Sequence, residues 1–174
     1  MDFYVISQDV RVFDSVEPIK VHQAFDMETI RRGRFQELDD WPVQLYIKEK
    51  ETNSYVDFIE KPIPLISDKL KQVFEMYEKD IFYKPVMLAD VKKMKQNLYW
   101  LCIPKDIEAL SCQSEFKMDG SLKKLVISEK KVNFRKIFRI TGIIEYIVIL
   151  NQDVAESILR RDFYGITLKK IDKE

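Results

Sequence analysis

Residues 64–86 read PLISDKLKQVFEMYEKDIFYKPV. Ser67 stands before Leu70, Val73, Phe74 and Tyr77, which recur at the spacing of a helix with one buried side. A serine there accepts a hydrogen bond from an otherwise unpaired N–H of the first turn, and Asp68 lies where the helix dipole favours negative charge. After the helix, IFYKPVML reads as a strand. Proline has no N–H for a ladder and holds Lys84 extended, so an edge or a bulge is expected at Pro85. The stretch as a whole predicts strand, helix, strand.

Residues 146–171, YIVILNQDVAESILRRDFYGITLKKI, repeat that punctuation. A β-branched run leads into the polar cap Asn151-Gln152-Asp153. Val154, Ile158 and Leu159 then form one helical face, and Gly165 takes the helix-exit role before a further strand. Each helix can cover a sheet with its apolar stripe. Two copies are too few for a solenoid.

The rest of the chain reads mainly as strands. FYVIS at 3–7 alternates apolar and polar residues, and so does VQLYIKEKETNSYVDFIE at 43–60, which reads as a hairpin around EKETN. Between them Asp26 is a helix cap and Gly33 a helix stop, for one or two short turns. NLYWLCI at 97–103 is a strand and DIEALS at 106–111 a short helical turn. Asp119-Gly120 marks a tight hairpin, and Thr141-Gly142 a turn between two more strands. With four glycines and no Ser- or Pro-rich spacer, nothing divides the chain. The expected architecture is one α+β domain over 1–174, built on a mostly antiparallel or mixed sheet. Its β-rich first part spans 1–60, and 61–174 carries the two strand-helix-strand units, which flank hairpins.

A chain of 174 residues with 46% apolar side chains can bury a core without staples. Acids and bases balance at 29 each, so no global field draws the molecule to nucleic acid or an anionic membrane. The balance is local, however. Residues 1–60 hold thirteen acids and seven bases, while residues 116–140 hold eight bases and two acids. MDFYVISQDV has neither the basic start nor the apolar middle of an export signal, and no apolar run is long enough to span a membrane. A soluble cytoplasmic protein is expected. Cys102 and Cys112 form no ligand motif and read as small buried hydrophobes.

Catalytic chemistry finds little purchase. His22 is the only histidine, and no paired metal ligand, nucleophile elbow or glycine-rich phosphate loop is present. Asp39, Asp40, Asp57 and Glu60 are candidate carboxylates that spacing cannot place across a substrate. Tyr77, Phe82, Tyr83, Trp100, Phe163 and Tyr164 sit at spacings that predict core or sheet packing. No catalytic, cofactor-binding or metal residues are assigned, and no cofactor is expected. The basic segment 117–139 offers an alternative role in nucleic-acid binding through Lys123, Lys124, Lys130, Lys131, Arg135, Lys136 and Arg139. Its apolar partners more simply mark strands with lysines outward. Arg139, between Phe138 and Ile140, reads instead as a partly buried structural arginine needing a carboxylate such as Glu115 or Asp57.

Taken in order, YVDFIE, PLISDKLKQVFEMYEKDIFYKPV, NLYWLCIPKDIEALSCQSEF and KIFRITG with the closing unit around Gly165 carry a resemblance. The chain resembles the Imm11, DUF1629-like immunity-protein family of bacterial polymorphic toxin systems, over about two-thirds of its length from residue 55 onward. That resemblance implies a stoichiometric inhibitor encoded beside a toxin, and it supplies no catalytic residues. The partner is then a cognate toxin domain. For a basic toxin, the acidic first part is the natural contact. A rim of Asp39, Asp40, Glu49 and Glu51 around Trp41 is the candidate surface, although Trp41 beside a turn proline also reads as core.

Overall fold

The computed structural model covers residues 1–174. The chain begins with β1 (Phe3–Gln8) and β2 (Pro18–Ile19), the short helices α1 (Val21–Ala24) and α2 (Met27–Arg31), and a 3-10 turn at Phe35–Glu37. Strands β3 (Val43–Ile47), β4 (Phe58–Ile59) and β5 (Leu65–Ser67) lead into α3 (Asp68–Tyr77), followed by the long pair β6 (Ile81–Asp90) and β7 (Lys95–Pro104). Four short strands come next: β8 (Asp106–Ile107), β9 (Glu115–Phe116), β10 (Leu122–Lys124) and β11 (Val126–Ile127). The chain closes with α4 (Glu129–Val132), β12 (Ile137–Ile140), β13 (Val148–Asn151), α5 (Gln152–Leu159) and β14 (Ile166–Lys173).

Two six-stranded mixed sheets result, ordered β2-β3-β6-β7-β5-β4 and β11-β14-β1-β13-β12-β8, with β9-β10 as a separate ribbon. Within them lies one five-stranded pattern used twice. In β3-β6-β7-β5-β4 the first pair is parallel and the other three antiparallel. In β11-β14-β1-β13-β12 the same sequence of pairings recurs. In each, a helix joins the parallel strands that flank the central one: α3 between β5 and β6, α5 between β13 and β14. The two copies differ in the source of that central strand. In the first sheet it is β7, next along the chain after β6; in the second it is β1, from the amino-terminal end.

Both helices begin as their caps dictate. Ser67 Oγ accepts from Leu70 N–H at 3.2 Å, and Asn151 Oδ1 accepts from Val154 N–H at 3.1 Å. Their apolar faces meet over a shared core in which Leu70, Val73 and Phe74 join Val154 and Ile158, above Ile66 and Cys102 of one sheet and Ile6, Val148 and Leu150 of the other. Burying a side chain such as Leu70 or Phe74 stabilises the fold by about 1.5–3 kcal/mol before entropy is counted. Beyond this layer, α1 and α2 cover Leu45, Val86, Leu88 and Leu101 on the far face of the first sheet. Phe3, Phe138, Ile149 and Ile171 form the far core of the second.

Several sequence expectations are corrected. Pro85 lies inside a central strand, and the β6–β7 register runs through it unbroken from Ile81↔Pro104 to Asp90↔Lys95. The strand tolerates it because the β3 ladder starts only at Val43↔Val86, one residue later. Residues 43–60 do not form a hairpin: β3 pairs with β2 and β6, and β4 with β5. Asp106 and Ile107 extend along β12 as β8 where a helical turn was expected, and Lys130 and Lys131 lie on α4 and not on a strand. Leu159 is exposed, as is Cys112, while Cys102 is buried as predicted.

Gly165 does not end α5, which stops six residues earlier. It has φ +74 just before β14, and a Cβ there would lie 2.2 Å from Val56 Cγ1. Both glycine turns in the predicted hairpins form, with positive φ at Gly120 and Gly142.

Candidate functional site

The acidic turn before β3 is built on a lysine inside the sheet. Lys84 occupies the same side of β6 as Phe82, Val86 and Leu88, and only 6% of its surface is exposed. A buried ammonium without partners costs several kcal/mol, so its three N–H bonds need acceptors. They reach the Asp39 carbonyl at 3.0 Å, the Asp39 carboxylate, and the Trp41 carbonyl at 2.7 Å. Asp39 Oδ1 also accepts from Trp41 N–H at 3.0 Å. The Lys84 ammonium, and after it that N–H, hold the Asp39 carboxyl below the usual carboxylate range. Upstream, Phe35 stacks on Phe82 at 5.6 Å and fixes the approach to the turn.

This arrangement displays Trp41. Its backbone is tied to a core cation while its side chain is 73% exposed, so its reading as a core residue is overturned. Asp40 beside it is exposed and makes no ion pair. Glu49 and Glu51 lie past the other end of β3, a strand that alone spans about 17 Å. Glu49 pairs there with Lys92 at 3.1 Å, and Glu51 is exposed. The five predicted residues therefore form two groups at opposite ends of one strand and not a ring around Trp41. Lys84 was missed. The available signal was a lysine placed in the apolar alternation of a strand, between Phe82 and Val86.

The other candidate carboxylates are engaged in the fold. Asp57 accepts from Ser67 Oγ–H at 2.6 Å and from Tyr164 N–H at 2.7 Å, linking the cap of α3 to the closing unit. Glu60 accepts from Gln8 N–H at 3.2 Å, on the wall of an open cavity of about 1020 Å³ lined by Val5, Val16, Met27 and Tyr146. His22 is exposed on α1. No three His, Cys, Asp or Glu side chains converge as metal ligands. Of the six aromatic side chains expected to pack, only Tyr164 is largely exposed.

The basic segment does not present a continuous stripe. Lys123 pairs with Glu115 at 2.7 Å, Lys124 with Asp172 at 2.9 Å, Lys136 with Asp153 at 3.2 Å, and Arg135 with both Glu78 and Asp80. Arg139 is buried more fully than expected, and its carboxylate is Asp106 and neither Glu115 nor Asp57. The guanidinium stacks 4.0 Å from the Tyr146 ring and donates to the Arg31 carbonyl at 2.6 Å, which ties α2 to β12. Burial raises the Asp106 carboxyl above its ordinary range, against the opposing effect of Arg139.

The fold is α+β, and its acidic turn holds a tryptophan in solvent. Comparison with known proteins gives the narrower assignment: the immunity protein family Imm11 matches residues 5–173, and the chain belongs to that family. The match takes in residues 5–54, beyond the reach of the sequence resemblance. No curated protein and no solved structure matches the chain. Family membership places it among toxin-immunity proteins. No helix is long and apolar enough to cross a membrane.

Proposed function

We propose that this chain neutralises one cognate bacterial toxin of a polymorphic toxin system by binding it stoichiometrically in the cytoplasm, without catalysis. The observation that carries the reading is the Trp41 turn. An exposed indole on a backbone fixed by the buried Lys84 ammonium is an anchor whose backbone has little conformational entropy left to lose on binding. Asp39 and Asp40 precede it, and Glu49 and Glu51 form a second, separate group beyond the far end of β3. Such a surface suits a partner with a basic rim around an apolar pocket.

The test is co-expression with the toxin domain encoded beside the gene, in catalytically inactivated form. The two proteins should co-purify, and Trp41→Ala should weaken the complex by about 2 kcal/mol or more, the range of an interface anchor. A toxin domain that does not bind, and whose lethality the chain leaves unchanged, would defeat the proposal.

A further inference from the structure

The far end of β3 meets a second surface, where Lys92, Lys93 and Lys95 stand beside Glu49 and Glu51. Strands β6 and β7 pair over ten residues each; β3 follows β6 to Tyr46↔Ala89, one residue short of its end, but β5 follows β7 only from Ser67↔Tyr99 inward, so residues 95–98 form an open edge. The last turns of this hairpin form an arm whose tip is Val91-Lys92-Lys93-Met94-Lys95. The tip is well specified. Buried Asp90 accepts from Lys93 N–H at 3.0 Å, and Met94 takes φ +51 to close the turn.

Its side chains point into solvent: Val91 is 70% exposed and Met94 92%. Tyr46 and Leu98 continue the apolar patch along one face of the arm, since the cross-strand rows Tyr46↔Ala89↔Gln96 and Gln44↔Met87↔Leu98 lie on that face. Neither Lys93 nor Lys95 has a carboxylate partner, and Lys92 has only the exposed Glu49. Exposed apolar side chains beside the two unpaired cations Lys93 and Lys95 match an acidic protein surface with an apolar centre.

We propose that the β6–β7 arm is a docking site for an acidic patch of the same toxin. The inference rests on the immunity reading and adds to it the chemistry of a second contact. The Trp41 turn at one end of β3 presents the unpaired Asp40, and the arm at the other end presents the unpaired Lys93 and Lys95 beside Glu49 and Glu51. Two contacts of different chemistry at the two ends of one strand favour one orientation of the partner over the reverse.

The experiment measures binding of the inactivated toxin domain encoded beside the gene, by surface-immobilised kinetics at several salt concentrations. It uses the wild type, Lys93→Glu/Lys95→Glu, Met94→Asp and Trp41→Ala. The arm residues are exposed, so circular dichroism and Tm should match the wild type. Expected are a loss of affinity of about tenfold or more in both arm variants, with the charge-reversal loss mainly in the association rate, and a shallower salt dependence for that double variant.

Arm variants that bind like the wild type would overturn the inference; if Trp41→Ala alone fails, the immunity proposal still stands, and the lysines merely guard the open edge of β7 against strand addition. Binding of the arm to phosphatidylserine vesicles or single-stranded DNA, with toxin binding unaffected by its variants, would overturn it as well. If the wild type does not bind the toxin at all, both proposals fall together.

Discussion

Lys84 Nζ lies 2.7 Å from the carbonyl oxygen of Trp41, so a cation buried in the first sheet holds the backbone of a residue whose side chain stands in solvent. Replacing Lys84 with Met removes the buried charge and its desolvation cost together with the three bonds. The expected change in global stability is therefore modest, within about 2 kcal/mol. The turn itself should loosen. In a Trp100→Phe background, where Trp41 is the only tryptophan, fluorescence anisotropy should fall in Lys84→Met while the unfolding midpoint moves little. Unchanged anisotropy would show that the clamp does not order the turn.

The same clamp carries a pH dependence whose sign is fixed. Asp39 has a folded-state carboxyl below its ordinary value, so its contribution is present above the unfolded value of about 4 and is lost as pH falls through the lowered folded value. Trp41 emission in the Trp100→Phe protein should be flat from neutral pH down to about 4 and change below that. Asp39→Asn should remove the transition.

Gly165 and Val56 make a sharper packing test. Alanine at Gly165 meets both a left-handed backbone and Val56, whose Cγ1 and Cβ would lie 2.2 and 2.5 Å from the new methyl. The expected loss is about 3–5 kcal/mol by chemical denaturation. Val56→Ala keeps the offending Cβ and should give no rescue, whereas Val56→Gly should show favourable coupling with Gly165→Ala in a double-mutant cycle.

The repeated sheet predicts a tolerated permutation. β1 is the central strand of the second pattern, and it enters beside β14 with Phe3 opposite Ile171. Lys173 Nζ donates to the Met1 carbonyl at 2.6 Å, so the two chain ends are adjacent. Joining Glu174 to Met1 and opening the chain at the exposed Val10-Arg11 turn would make the second unit continuous, as the first already is. The permutant should fold with a far-ultraviolet spectrum like the parent, whereas deletion of residues 1–8 should abolish cooperative unfolding.

Local signals made the helices readable. Ser67 and Asn151 announce α3 and α5 because a cap and an apolar stripe are encoded within a few residues. Partnership between distant strands has no such signature. Nothing near residue 43 says that β3 runs parallel to β6, so the local pattern suggests a nearer hairpin, and Pro85 suggests an edge or a bulge where β6 is central and its register unbroken. Of the surface, Asp39, Asp40 and Trp41 were readable as an aromatic among acids. Their distance from Glu49 and Glu51 was hidden in the strand between them, and Lys84 was hidden because its acceptors lie more than forty residues away.

The central claim is that the chain acts by equimolar contact. The most direct measurement titrates purified protein into the active toxin domain encoded beside its gene and follows the remaining toxin activity. The account predicts a linear fall to an endpoint at equimolar protein, with Trp41→Ala giving a shallow curve in place of a break. Complete suppression at a small fraction of one equivalent would mean turnover, and would contradict it.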